Sequence, residues 1–185
     1  DALKFVTPNY IPVDTVRRSN GFLANTFDSA PAQVQFDVET ASAASGGGNG
    51  AIEVVHLTTR GLQYLGEVGN VSSVTNTTVV TITGTSLSAD DCIVNNDIYF
   101  TSGDASGEGG TITDYNGTTK VVTFTPAITA PSATDGYAIG PKVVISGDGQ
   151  GANVRCTVNS TGGINATAVI SGGNNYSNAS ISIIS

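Results

Sequence analysis

Six carboxylates fall between positions 90 and 114: Asp90, Asp91, Asp97, Asp104, Glu108 and Asp114. Two carboxyl groups facing one cleft are what hydrolysis of a glycosidic bond requires. Adjacent Asp90 and Asp91 would point to opposite sides of an extended backbone, so they make a poor pair. All six stand among Gly, Ser, Asn and Thr, the composition of solvated turns, and they read as turn residues. His56 is the only histidine. Nothing near it suggests the nucleophile or carboxylate that a catalytic base needs, which removes most Ser-His-Asp schemes.

Metal and cofactor chemistry fare no better. Ser102 to Gly110 has the composition of a calcium loop but lacks the Asp/Asn spacing and the terminal Glu of an EF-hand. Asp148 in Gly147-Asp148-Gly149 is similar, and glycine there is better explained as a supplier of positive φ in a tight turn. Gly147-x-Gly149-x-Gly151 fails as a dinucleotide loop because a strand, not a helix, is expected after it. Cys92 and Cys156 are too few for a structural zinc site. Cys156 takes an inward position in an alternating strand and reads as a buried apolar thiol, with a disulfide to Cys92 as the alternative. No catalytic, cofactor-binding or metal residue is therefore expected, and no reaction is implied.

The elements that would position these groups announce themselves by repetition. Ala32-x-Val34-x-Phe36-x-Val38, then Gly50-x-Ile52, Gly61 and Tyr64, matches Ala152-x-Val154-x-Cys156-x-Val158, then Gly162-x-Ile164, Gly173 and Tyr176. The upstream strands align at an offset of 120 and the downstream parts at 112, with a longer loop, Ser42 to Asn49, in the first copy. Apolar residues at alternate positions mark half-buried strands. Between the copies, Val79 to Thr83, Ile98 to Phe100 and a hairpin around Asn116-Gly117 give further strands; Asn-Gly favours a type I′ turn, lengthened here by Thr118 and Thr119.

The expected fold is all-β: a β-sandwich built from two repeated strand units, 31–66 and 141–185, paired face to face. A β-hairpin-rich segment, 67–140, is inserted between them, and residues 1–30, with prolines at 8 and 12, form an N-terminal arm. The core is expected at Val34, Phe36, Val38, Ile52, Tyr64, Val154, Cys156, Val158, Ile164 and Tyr176. Glycine at 23 of 185 residues and charge at only 12% suit such a turn-rich β protein. The net charge of −8, with no Lys/Arg cluster beyond Arg17-Arg18, argues against nucleic acid and anionic membrane surfaces as partners. No apolar run approaches the ~18 residues of a membrane helix. A chain beginning Asp1-Ala2 and lacking Met altogether reads as a piece or processed product of a longer protein.

Leu3-Lys4-Phe5 followed by Tyr10-Ile11-Pro12-Val13 resembles a segment of the baseplate wedge proteins encoded by gene eight of marine T4-like bacteriophages. Gly147-Asp148-Gly149-x-Gly151-Ala152, Gly163-x-x-Ala166 and Gly172-Gly173-x-x-Tyr176 are similar to a β module widespread in phage virion proteins, as is the hairpin Ile112 to Lys120. The second module carries Gly-Gly-Asn-Asn-Tyr where Gly-x-Gly-Tyr is common, and lacks the usual proline after the tyrosine. The resemblance implies a non-enzymatic structural component of a contractile tail baseplate, located in the virion and assembled in the host cytoplasm. Its implied partners are other baseplate or tail proteins, or a second copy in a homodimer. Phe5, Tyr10, Ile11 and Pro12 are the expected contact residues, because exposed aromatic and proline arms dock on neighbours. The alternative is a tail-fibre or adhesin-type module binding a host surface glycan, with Tyr99, Tyr115 and Tyr137 as available rings and no tryptophan to help them.

Overall fold

The computed structural model describes residues 34–40, 50–61 and 63–184. The expected arm, with Phe5, Tyr10, Ile11 and Pro12, lies outside the described residues. Among them all regular structure is strand: β1 Val34–Thr40, β2 Ile52–Arg60, β3 Glu67–Asn76, β4 Val79–Ile82, β5 Asp97–Phe100, β6 Gly109–Asn116, β7 Val121–Thr125, β8 Gly136–Gly140, β9 Lys142–Gly147, β10 Gln150–Val158, β11 Ile164–Asn174 and β12 Ala179–Ile184. The protein is all-β, and every pairing is antiparallel.

The inserted segment is more than a run of hairpins. It closes into a six-stranded barrel in the order β3-β4-β7-β6-β5-β8. A small barrel must fill its interior with side chains, and Val80, Ile98, Phe100, Ile112, Phe124 and Tyr137 do so with almost no exposure. Strand β6 carries the device that makes this possible. Ile112 pairs with Phe124 and Asp114 with Thr123, so Thr113 is bulged out of the ladder. That single extra residue flips the alternation, and both Ile112 and Tyr115, three apart, turn inward. The β6–β7 turn is also not type I′. Asn116 Oδ1 accepts from Thr118 N (3.0 Å) and Thr119 N (2.7 Å), and the left-handed residue is Lys120, at φ 62°. Gly117 is needed for another reason: a Cβ there would lie 2.4 Å from the Ser88 carbonyl oxygen.

The repeat forms a second, separate core in which both copies take part: Ile52 and Val55 from the first pack with Val154, Cys156, Val158, Ile164 and Tyr176 from the second, and Phe36, Val38 and Tyr64 are half-buried against them. Three two-stranded sheets, β1-β2, β10-β11 and β9-β12, surround it in place of the two sheets of a sandwich.

The ladders correct the alignment of the copies. β1–β2 has register shifts after Gln35 and after Glu39; β10–β11 has them after Asn153 and after Thr157. Matching these bulges sets Val34 on Ala152, Phe36 on Val154, Val38 on Cys156 and Thr40 on Val158, an offset of 118 and not 120. A two-residue slip preserves which face each side chain takes, so periodicity does not detect it. The first copy's connection is then six residues longer than the second's, residues 41–51 against 159–163.

Downstream the offset of 112 holds, and the backbone follows it closely. Gly61 and Gly173 sit at φ 62° and 63°, Gly50 and Gly162 at 69° and 79°, and Gln63 and Asn175 at 69° and 63°. The copies also grip each other reciprocally. Tyr64 N donates to Gly162 O at 2.9 Å, and its counterpart Tyr176 N donates to Gly50 O at 2.9 Å. The Thr167 hydroxyl donates to the carbonyl of Val55, its own counterpart 112 residues away. Contacts in which i meets j′ and j meets i′ are those of an isologous dimer, here made within one chain.

Candidate functional site

The acidic side chains singled out in the sequence are dispersed, and most are occupied. Asp90 accepts from Gly117 N at 2.7 Å, and Asp91 accepts from Tyr115 N at 3.3 Å. Glu108 takes both the amide and the hydroxyl of Thr129, and the hydroxyl bond foremost draws its pKa below the ordinary value. Asp104 and Asp114 are exposed. Asp148 accepts from the Ser177 hydroxyl and from the amides of Ser177 and Asn178, which together bring its pKa down to about 2. It clamps the β9–β10 turn to the chain entering β12. Among the described residues no group of three His, Cys, Asp or Glu could hold a metal ion.

Asp97 is the exception in depth. It is almost fully buried in β5, where the Thr111 hydroxyl donates to Oδ1 (2.8 Å) and Arg155 of β10 pairs with Oδ2 (2.5 Å). This ion pair joins barrel to repeat. Beside it the Cys156 thiol donates to the Pro141 carbonyl at 3.3 Å. Burial, and then the nearby Asp97 charge, push that thiol up to about 12. Both cysteines are free. His56 is exposed on β2, opposite Asp37 in the ladder.

The three tyrosines considered for a glycan platform lie inside the barrel wall or core, none more than 8% exposed. The Tyr115 hydroxyl donates to Leu87 O at 2.7 Å, and burial is the main cause lifting its pKa to about 12. Tyr137 donates to Glu67 Oε1 at 2.8 Å; burial first, then that bond, raises it further.

Glu67 leads to the feature that sequence reading missed. A cleft of about 640 Å³ opens where the start of β3, the β4–β5 connection and the β10–β11 turn converge. Leu65, Val68, Leu87 and Val158 give it apolar walls, and Ser86 and Glu67 add polar groups. Leu65 is 46% and Val68 62% exposed, whereas Glu67 between them is 8% exposed. The Ser86 hydroxyl donates to Glu67 Oε2 at 2.6 Å, so both carboxylate oxygens have neutral donors. The Asn96 side chain holds the Leu65 carbonyl at 2.8 Å, fixing the strand entry.

No family model matches the chain, and no curated protein or solved structure does so either.

One signal in the sequence does mark the cleft. At the offset of 112, Leu65, Glu67 and Val68 correspond to Ser177, Ala179 and Ser180. The turn is repeated as far as the tyrosines; beyond them the strand pairing and the chemistry both differ.

Proposed function

We propose that the chain is a non-enzymatic structural component of a contractile phage tail baseplate, working through protein–protein contacts in the virion. The observation that supports this reading is the reciprocal pairing of Tyr64 with Gly162 and of Tyr176 with Gly50, across a core both copies share. A module that recognises its own copy by backbone bonds and apolar packing is built to bind protein surfaces. The acidic groups fit the same reading, since Asp90, Asp91, Glu108 and Asp148 serve to fasten turns. Partners would be other baseplate or tail proteins or a second copy, reached in part through Phe5, Tyr10, Ile11 and Pro12.

Light scattering on the whole chain across a concentration series tests this. Mass that rises with concentration is expected, and deletion of residues 1–13 should lower it while leaving the fold intact. A strict monomer that captures a glycan on an array, with or without chelator, would replace this reading with that of an adhesin-type module.

A further inference from the structure

We infer that the cleft between barrel and repeat is a socket for a basic side chain, lysine or arginine, of a neighbouring subunit. The inference rests on the assembly reading for the identity of the occupant, but its chemistry is local. A socket for a long cationic side chain needs apolar walls for the methylene stem and an anionic group at depth for the head. Leu65, Val68, Leu87 and Val158 supply the walls, and Glu67, nine-tenths buried, supplies the anion.

A carboxylate has about four acceptor positions. The Ser86 and Tyr137 hydroxyls each donate one hydrogen bond, and both donors are neutral. Among the described residues no cation pairs with Glu67, and the nearby Lys120 amine donates to the Leu87 carbonyl. A buried carboxylate is stabilised most by a partner cation that also donates hydrogen bonds. Ser86 lines the cleft together with Glu67 and donates to its Oε2. The volume of about 640 Å³ lies within the range of sites that enclose a side chain or small ligand. The second copy has Ala179 where Glu67 stands and serines where Leu65 and Val68 stand.

The test is titration of the ¹⁵N-labelled chain with n-butylguanidinium, and in parallel with n-butylurea, its neutral isostere. Butylguanidinium should shift the amides of 65–68, 86–87 and 160–162 saturably, with butylurea about tenfold weaker and the difference shrinking as salt is added. Glu67→Gln should abolish the preference. Because that variant also weakens the acceptor of Tyr137, Val68→Lys provides a second arm: a cation at the exposed mouth should compete with the probe and suppress its binding. Equal binding of the two probes to the unaltered chain, or no saturable shift, overturns the socket while leaving the assembly reading untouched. Tight probe binding by a chain that stays monomeric and captures a glycan would sink assembly and keep the socket.

Discussion

At Gly61 and Gly173 the two copies hold nearly the same φ, and at Tyr64 and Tyr176 they make the same bond to each other's turn. Directly after the tyrosines they part company, with Leu65 in one and Ser177 in the other. The strand that follows then goes separate ways: β3 enters the barrel beside β8, whereas β12 pairs with β9. The difference teaches how a duplicated unit is put to use. Positions that set backbone geometry and the mutual grip are retained in both copies. Positions beyond the grip are free to differ, and there the first copy acquires a barrel, a buried carboxylate and a cleft.

The seam between barrel and repeat offers the largest way to break this arrangement. Arg155→Ala would leave Asp97 buried without its cation, and the expected loss is about 3–5 kcal/mol of stability. Urea denaturation measures it; a loss under about 1 kcal/mol would mean the two regions are held together by packing alone.

The equivalence of the copies can be tested by twin truncations. Ile52 and Ile164 are 2% and 0% exposed and correspond at the offset of 112. Ile52→Ala and Ile164→Ala should each cost about 2–5 kcal/mol and agree within about 1 kcal/mol. Clearly unequal costs would show that the shared core is structurally symmetric but energetically one-sided.

A smaller effect sharpens the comparison at one residue. Gln63 holds φ 69° where the other copy has Asn175 at 63°. Asparagine adopts the left-handed region more readily than glutamine, so Gln63→Asn should raise stability by about 0.5 kcal/mol. Thermal melts should show Asn175→Gln moving the other way; identical melts for both swaps would remove the strain argument.

The smallest expected effect concerns Asp148. Its folded pKa, about 2, is below the ordinary carboxylate value near 3.9. A depressed pKa contributes stability that is present above the unfolded value and is lost as pH falls through about 2. Carboxyl NMR should give a midpoint near 2. Asp148→Asn should remove the pH dependence arising from this turn, and a midpoint near 4 would mean that the Ser177 and Asn178 bonds do not form in solution.

Much of this molecule is legible in its residues. Alternation in Val34-x-Phe36-x-Val38 and Val154-x-Cys156-x-Val158, with turn residues between, is enough for the all-β class, because a strand with one buried face needs apolar side chains at every second position. Glycines and tyrosines at a constant offset were enough for the repeat, because left-handed turns restrict which residues can stand there. Tertiary structure alone decided the rest. The true offset of 118 in the first strand is set by bulges, and a period of two is blind to a slip of two. Barrel closure depends on β8 returning to β3, a pairing of residues 139 and 67 that no local pattern encodes. The cleft gathers segments near residues 65, 87 and 160, and Glu67 reads as an ordinary surface acid until the Tyr137 hydroxyl is brought across the barrel to bury it. Local chemistry selects strands and turns; which distant strands meet, and what they enclose, is selected by how the whole chain buries its apolar faces.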